Sequence, residues 1–334
     1  PVFALAWGVF LAGVIQLMFQ VPALVRIGLL PRPRWNWQHS GVRRVLKLMV
    51  PTLLGSSAAQ VNILIDSVIA TFLISGSVSW LYYSDRLLEF PLGVFGIALA
   101  TVILPNLSRK HAKKSTQEFS DTLDWALRLS MVVTLPAAVG LAVMAEPILV
   151  TLFQYDAFQA DDVAMSALSL VAYAIGLPAF IAVKVLAPGY FARQDPKTPV
   201  VIGLIAMGAN FLMNLLFVGT MVAWEFAGPH AGLALASSAS AFLNAGLLYR
   251  GLRKSGTYQP DGGWMRLAGS VFLACAAMAA LLITWAPSAE IWMAMRAGNR
   301  AMDLLLYIFL GASIYALTAW VSGIRPQQFS RGST

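Results

Sequence analysis

Charged residues are scarce in this sequence. Asp, Glu, Lys and Arg make up 11% of the 334 residues, whereas a soluble chain of this length carries about 25%. Hydrophobic residues make up 58%, and the mean hydropathy is +0.72. These values exclude an ordinary soluble globular protein and predict a polytopic membrane protein.

Residues that carry enzyme chemistry are also few. The single cysteine, Cys275, lies in an apolar run, cannot form an internal disulfide, and is expected to be a buried small hydrophobe. The three histidines are isolated, and neither a Walker-type glycine loop nor a G-x-S-x-G motif occurs. Asp161 and Asp162 could serve a membrane glycosyltransferase, but we expect them to begin a helix. The sequence therefore predicts no enzyme, no metal centre and no organic cofactor.

Apolar runs long enough to cross a bilayer recur along the whole chain. About 20 such residues suffice for one helical span. The sequence therefore predicts an all-α membrane protein with about nine transmembrane helices. They are placed at roughly 3–26, 46–74, 79–108, 128–146, 163–191, 198–220, 230–250, 265–286 and 302–322.

The formal net charge of +8 could indicate a nucleic-acid partner. The basic residues, however, lie in short connections between apolar runs, which indicates membrane topology and no nucleic acid. Alternate connections carry nearly all of them, and the opposite side has only Arg296 and Arg300 together with acidic residues. The basic side is therefore predicted to be cytoplasmic.

Two polar stretches divide the chain. Residues 29–45, rich in Pro, Trp and Arg, predict a cytoplasmic linker after one helix at 1–28. Residues 46–254 then form a six-helix bundle, and two further helices occupy 261–323. Small residues in these last helices, such as Ala274 and Gly311, allow either close helix packing or a groove for an acyl chain.

Residues 79–96, SWLYYSDRLLEFPLGVFG, place Asp85, Arg86 and Glu89 inside an apolar span. Arg86 either acts at membrane depth or snorkels to the headgroups. A local pair with Glu89 can hold the guanidinium, which suits a phosphate-bearing ligand. We expect a polar, glycine-containing stripe to face protein or a watery cavity and a bulky face to meet lipid. The stripe is Tyr82, Arg86, Glu89, Gly93 and Gly96; the bulky face is Leu81, Leu88, Leu92 and Phe95.

Two further basic residues lie within or beside spans. Lys184 is about eight residues, roughly 12 Å, from the cytoplasmic end of its helix, so it is either a snorkelling anchor or an intramembrane cation. Arg128 follows three acidic residues at a cytoplasmic helix entry, where a solvated amphipathic turn suffices as the explanation.

Four polar residues are predicted to share one depth. Counted from the non-cytoplasmic ends of their helices, Asp66, Asn214 and Ser237 lie roughly 9–12 Å below the interface, with Asn210 one turn deeper than Asn214. Their oxygens suit a hard cation such as sodium. Ordinary interhelical hydrogen bonding explains the same residues.

Two long motifs resemble a known family. SGSVSWLYYSDRLLEFPLGVFGIALATVILPNLS, residues 75–108, and VKVLAPGYFARQDPKTPV, residues 183–200, are similar to the MurJ/MviN lipid II flippases. The resemblance extends along essentially the whole chain. It implies two six-helix lobes around a central cavity and two C-terminal helices. On that pattern the chain begins at the last helix of the first lobe and is a fragment that lacks most of that lobe.

The resemblance also implies a function. Such proteins move lipid II, an undecaprenyl-pyrophosphate glycolipid, from the inner to the outer leaflet of the bacterial inner membrane by alternating access. The expected substrate-binding residues are Arg86, Asp85, Glu89 and Lys184, and the expected partners are lipid II, the membrane and the missing N-terminal lobe. A coupling ion, sodium or another, would bind at Asp66, Asn210, Asn214 and Ser237, and the C-terminal helices would border the lipid tail.

Other functions remain open at this point. A drug/cation antiporter or another polysaccharide-lipid flippase of the same superfamily would share the fold. A membrane glycosyltransferase would need Asp156, Asp161 and Asp162, and a non-transporting scaffold would tolerate loss of the Arg86 charge. The residues leave the driving force undecided between the membrane potential and an ion gradient.

Overall fold

The computed structural model describes residues 2–28, 39–325 and 327–330. Within these ranges every regular element is helical, which confirms the predicted all-α fold. The α-helices are α1 (Val2–Arg26), α2 (Ser40–Thr71), α3 (Ser77–Pro91), α4 (Ala98–Ala112), α5 (Thr116–Val143), α6 (Ala145–Phe153), α7 (Ala160–Phe191), α8 (Lys197–Ala223), α9 (Ala231–Lys254), α10 (Trp264–Trp285), α11 (Ala289–Ala294), α12 (Ala297–Val321) and α13 (Gln327–Ser330).

Eight described helical segments are long and apolar enough to cross a membrane. One of them joins α3 and α4 through a π-helical turn at Leu92–Ile97 into a single span, Ser77–Ala112. The span predicted at 46–74 falls in α2, where side chains 47–59 lie outside the described residues and Gln60–Thr71 is a shorter apolar helix.

The chain divides into two compact units, residues 1–52 and 53–334. In the first, α1 exposes its large apolar side chains, for example Phe3 and Phe19 at 83% and 84%. Such a surface is typical of a membrane helix that faces lipid or another helix. The predicted division at 28, 45 and 254 stays a prediction, and the linker at 29–38 lies outside the described residues.

Helix α7 is the centre of the second unit, with α3, α5 and α9 packed around it. Small residues allow this close packing. A Cβ atom added to Gly176 of α7 would lie 2.4 Å from Ser238 Oγ of α9, so only glycine fits at this crossing. One turn earlier, Ser238 Oγ donates a 2.7 Å hydrogen bond to the Ala172 carbonyl oxygen. The Ser238 side chain of α9 therefore packs directly against the backbone of α7.

The C-terminal helices α10 and α12 pack on each other and on α5 and α6. Gly311 lies against Leu282 and Met278 of α10, which is the close packing that small residues permit. Cys275 is buried among apolar neighbours, as predicted. Other small residues of this pair, Ala276, Ala280, Ala312 and Ser313, are exposed.

Candidate functional site

Arg86 forms the predicted local ion pair. Its Nη1 lies 2.6 Å from Glu89 Oε2, and its guanidinium carbon lies 4.9 Å from the centre of the Tyr82 ring. Both charged side chains are 50% exposed. The pair therefore lies on the surface of the second unit, within a membrane span, and is open to a ligand.

The predicted orientation of the bulky face is wrong. Leu81 and Leu88 are 8% and 4% exposed and pack inside the second unit, not toward lipid. Polar bonds set this rotation. Trp80 Nε1 donates to Asp162 Oδ1 at 2.7 Å, and Ser84 Oγ donates to the Ser166 carbonyl oxygen at 2.7 Å, so this face of α3 is fixed on α7.

Asp85 lies beside the pair but is turned further inward. Its side chain is half-buried, and its charge interacts with those of Glu89 and Arg86. Among the described residues it forms no ion pair, because Arg86 is bonded to Glu89. Asp85 thus adds a negative charge between the exposed pair and the interior.

Lys184 lies elsewhere on the unit. It is exposed, and its stem passes Gly96, where an added Cβ atom would lie 3.7 Å from Lys184 Cγ. Gly96 follows Arg86 by ten residues, roughly 15 Å along a helix. The structure therefore brings Asp85, Arg86 and Glu89 together but does not bring Lys184 to them.

The four residues predicted to hold a cation form one hydrogen-bonded cluster. Asn214 Nδ2 donates to Asp66 Oδ1 at 2.6 Å and to Asn210 Oδ1 at 3.1 Å. Ser237 Oγ donates to Asp66 Oδ2 at 3.3 Å, and Asn210 Nδ2 donates to Ser237 Oγ at 3.4 Å. Helices α2, α8 and α9 each contribute to the cluster, as depth counting predicts.

Two buried amide oxygens in or beside this cluster have no hydrogen-bond partner within the described ranges. Asn214 is fully buried, and its Oδ1 has no hydrogen-bond partner; neither has the buried Oδ1 of Asn62, one turn before Asp66. Buried oxygens of this kind are normally satisfied. Together with the carboxylate they make a donor set that fits a hard cation, which takes oxygen ligands.

The ends of the chain's helices carry two polar clusters that the sequence did not indicate. In the N-terminal part of α5, buried Asp124 accepts hydrogen bonds from Tyr258 Oη at 2.6 Å, Trp264 Nε1 at 2.8 Å and Arg128 Nε at 2.5 Å. Arg128 also donates to the carbonyl oxygens of Asp261 and Gly262. The solvated turn expected at Arg128 is therefore a partly buried cluster that fixes the loop before α10.

Arg300 is the second unexpected residue. It is 8% exposed, and its guanidinium donates only to backbone carbonyl oxygens, those of Trp292, Met293, Val150 and Gln154. These carbonyls lie at the C-terminal ends of α6 and α11, where helices leave acceptors unpaired, although those of Val150 and Trp292 also accept a backbone N–H. No sequence motif marks such a site, because every residue carries a carbonyl.

Asp195 and Tyr258, both outside the spans, have shifted pKa values. Hydrogen bonds from the Thr198 hydroxyl, at 2.6 Å, and from its backbone N–H hold the pKa of Asp195 below its ordinary value. Burial, and then the hydrogen bond to Asp124, raise the pKa of Tyr258, which keeps its hydroxyl protonated as a donor. Ordinary pKa values already keep Asp195 ionised and Tyr258 protonated at neutral pH, and the shifts extend these two states to lower and to higher pH, respectively.

A sequence profile of the family described as "Lipid II flippase MurJ" matches residues 1–297. The chain belongs to the MurJ family of lipid II flippases. The "Probable lipid II flippase MurJ" of Vibrio cholerae is 45% identical over 97% of this chain and 61% of its own length. That of Haemophilus influenzae is 46% identical over 97% and 63%, and the "Lipid II flippase MurJ" of Burkholderia cenocepacia is 40% identical over 99% and 64%.

The chain thus spans less than two thirds of the length of these relatives. Among solved structures, "Lipid II flippase MurJ, inward closed conformation" has a TM-score of 0.68 at 24% identity, covering 88% of this chain and 57% of that one. A transporter of the MOP superfamily from Pyrococcus furiosus has a TM-score of 0.51 at 13% identity, over 86% and 66%. These likenesses confirm the fold. The chain is a multi-pass protein of the bacterial inner membrane.

Proposed function

We propose that this chain is part of a transporter that flips lipid II from the inner to the outer leaflet by alternating access. It would act together with an N-terminal lobe of the same protein, since its MurJ relatives are longer than this chain. Lipid II is the proposed substrate because these relatives are named as lipid II flippases. No covalent chemistry is required of the residues. The observation that carries the proposal is the exposed Arg86–Glu89 pair within a membrane span.

Arg86 would bind the pyrophosphate of the substrate. A guanidinium presents parallel N–H donors that match two phosphate oxygens, and Tyr82 stacks against its face. Half of the Arg86 side chain is exposed, so a ligand reaches it without displacing packed residues. Glu89 keeps the guanidinium oriented when no anion is bound. Asp85 and Lys184 remain proposed substrate contacts of the same lobe.

Arg86→Ala and Arg86→Lys in the full-length protein test this role. We expect at least a tenfold loss of lipid II flipping for Arg86→Ala, because a charge-assisted hydrogen bond contributes about 1.5–3 kcal/mol. Exposure of lipid II in the outer leaflet is the measurement, at matched expression.

Arg253→Ala is the matched control, since Arg253 also lies over a tyrosine four residues earlier, Tyr249, but in the last turn of α9. It should flip normally. Normal flipping by both Arg86 variants would remove the pyrophosphate role and favour a carrier with another substrate, such as a drug/cation antiporter.

We also propose that the Asp66 cluster holds a coupling cation, with sodium as the first candidate. Asp66, Asn210, Asn214 and Ser237 would supply its oxygen ligands, and the unpartnered Oδ1 of Asn214 supports this assignment. When bound, the ion supplies one positive charge beside a buried carboxylate. Interhelical hydrogen bonding alone is the competing explanation.

Thermal unfolding of the full-length protein in sodium and in N-methyl-D-glucamine salts of equal ionic strength distinguishes a bound cation from interhelical hydrogen bonding alone. A bound cation raises the unfolding temperature of the wild type by mass action, and Asp66→Asn should abolish that rise. Asp85→Asn keeps the cluster and should retain it. Equal unfolding temperatures of the wild type in both salts would refute the cation site.

The C-terminal pair α10 and α12 would border the lipid tail. Exposed Phe272, Leu273 and Phe309 alternate there with exposed small residues such as Ala276 and Ala312, a surface suited to an acyl chain.

A further inference from the structure

Tyr173 is a buried tyrosine at a crossing of four helices. It is 8% exposed and packs in one apolar cluster with Ala70 of α2, Leu88 of α3 and Leu233 of α9. The exposed pair at Arg86 and the cluster at Asp66 both lie on helices of this crossing. Tyr173 itself belongs to α7 and is not among the residues proposed to bind either ligand.

The register of α7 directs Tyr173 toward α3. Ser166 of α7 accepts the hydrogen bond from Ser84, the residue before Asp85. Tyr173 follows Ser166 by two helical turns and therefore shares its face. Because side chains on a helix lean toward its N-terminus, the phenol points back toward the level of Asp85.

The other side of Tyr173 adjoins the cation cluster. The carbonyl of Ala172, the preceding residue, accepts from Ser238 Oγ at 2.7 Å. Ser237, the neighbour of Ser238, donates to Asp66 Oδ2. Two adjacent serines of α9 thus connect the backbone beside Tyr173 to the carboxylate of Asp66.

At this proximity the charges act on one another. The carboxylates of Asp66 and Asp85 lie close enough to interact electrostatically with each other and with the Tyr173 hydroxyl. Within the described part of the chain neither carboxylate forms an ion pair, and no hydrogen bond joins the hydroxyl to either of them. The coupling therefore runs through the electric field and the orientation of the hydroxyl dipole.

This arrangement has a consequence for anion binding. Glu89 already neutralises Arg86, so ionised Asp85 and Asp66 leave a net negative charge around the site where a pyrophosphate would bind. A cation at Asp66 offsets one of these charges. The hydroxyl carries a single proton and can orient it toward one carboxylate at a time, so neutralising Asp66 frees it to turn toward Asp85.

We infer that Asp85 and Tyr173 couple the cation cluster to Arg86, so that a cation at Asp66 strengthens pyrophosphate binding. This inference rests on the proposed function of both sites. By linkage, pyrophosphate strengthens cation binding by the same factor. Tyr173 is a positioning residue here and touches neither ligand.

Binding of inorganic pyrophosphate to the full-length protein in nanodiscs, measured by calorimetry with and without sodium at constant ionic strength, tests the coupling. In the wild type we expect sodium to tighten binding roughly fivefold or more, the lower range of allosteric coupling. Asp85→Asn should bind tightly even without sodium, with a ratio near one. Tyr173→Phe keeps the packing but removes the dipole, so the ratio should fall while binding without sodium stays close to wild type.

Tyr190→Phe is the matched control on the same helix. Its buried hydroxyl donates to the Leu248 carbonyl oxygen at 2.8 Å, away from both sites, and its ratio should equal the wild-type ratio. Sodium binding is followed separately through the thermal shift that Asp66→Asn abolishes. If that shift is present and both Asp85→Asn and Tyr173→Phe retain the wild-type ratio, the coupling is overturned and the cation site stands. If the wild type has neither a shift nor a ratio above one, the cation site and the coupling both fall.

Discussion

Arg300 is predicted to hold the N-terminal end of α12 on α6 and α11 within the second unit. Its Nε donates to the Trp292 carbonyl at 3.1 Å and its Nη2 to that of Met293, both at the end of α11. Nη1 makes longer bonds, 3.4 Å to the Val150 carbonyl and 3.5 Å to that of Gln154, at the end of α6. One side chain on α12 thus joins two helix ends, where a positive charge is also favoured by the helix dipoles.

The expected cost of removing this side chain follows from these bonds. Hydrogen bonds to a charged group contribute about 1.5–3 kcal/mol each, and the two long ones count for little. Burial of the charged guanidinium costs solvation free energy, which offsets part of this contribution. We therefore expect Arg300→Met to lower the free energy of unfolding by about 3–5 kcal/mol. Arg300→Lys should lose about half as much, because an ammonium group cannot reach all four carbonyls.

Thermal unfolding of the full-length protein in detergent, followed by circular dichroism, is the assay. Arg296→Met is the control, since Arg296 is exposed one turn before Arg300, and its change should stay within about 0.5 kcal/mol. Equal unfolding temperatures for Arg300→Met and Arg296→Met would refute the reasoning.

Two other substitutions test the packing of the second unit. Asp124→Asn should lower the free energy of unfolding by about 2–4 kcal/mol, because it breaks a buried ion pair. It should also increase proteolysis in the loop at 255–263. Asp121→Asn, at an exposed position, should have neither effect. Gly176→Ala should cost about 1–3 kcal/mol, because its Cβ atom would meet Ser238 Oγ at 2.4 Å. Gly140→Ala places its new atom where nothing lies within 4 Å, so it should be neutral or slightly stabilising in the same thermal unfolding. An equal loss of unfolding free energy in Gly176→Ala and Gly140→Ala would contradict the close helix crossing described at Gly176.

The depth of a residue within a span could be predicted from the sequence. A helix rises by a fixed amount per residue, so counting from the ends of three spans placed Asp66, Asn214 and Ser237 at one level, where they meet. The pair of Arg86 and Glu89 is equally local, since residues three apart on a helix are neighbours.

Which face of a helix is buried could not be predicted. Leu81 and Leu88 are as suitable for lipid as for a protein interior, and only the bonds of Trp80 and Ser84 to α7 decide between them. In a membrane the hydrophobic effect does not distinguish these choices, because lipid tails are as apolar as leucine.

Contacts to the backbone could not be predicted either. Arg300 binds four carbonyls that come from two helix ends distant in sequence, and nothing in the residue types at these positions indicates it. The side-chain partners of Asp124 were equally hidden, because Tyr258 and Trp264 lie more than a hundred residues away in the sequence.

The Arg86–Glu89 pair also has an electrical consequence. Moving one elementary charge through a membrane potential of 100 mV involves about 2.3 kcal/mol. A guanidinium bonded to a carboxylate at 2.6 Å carries no net charge, so a lobe that moves this pair through the field does almost no electrical work on it. The work falls on charges of the spans that form no ion pair among the described residues, such as Asp66, Asp85 and Lys184. It changes by one charge whenever a cation occupies the cluster at Asp66.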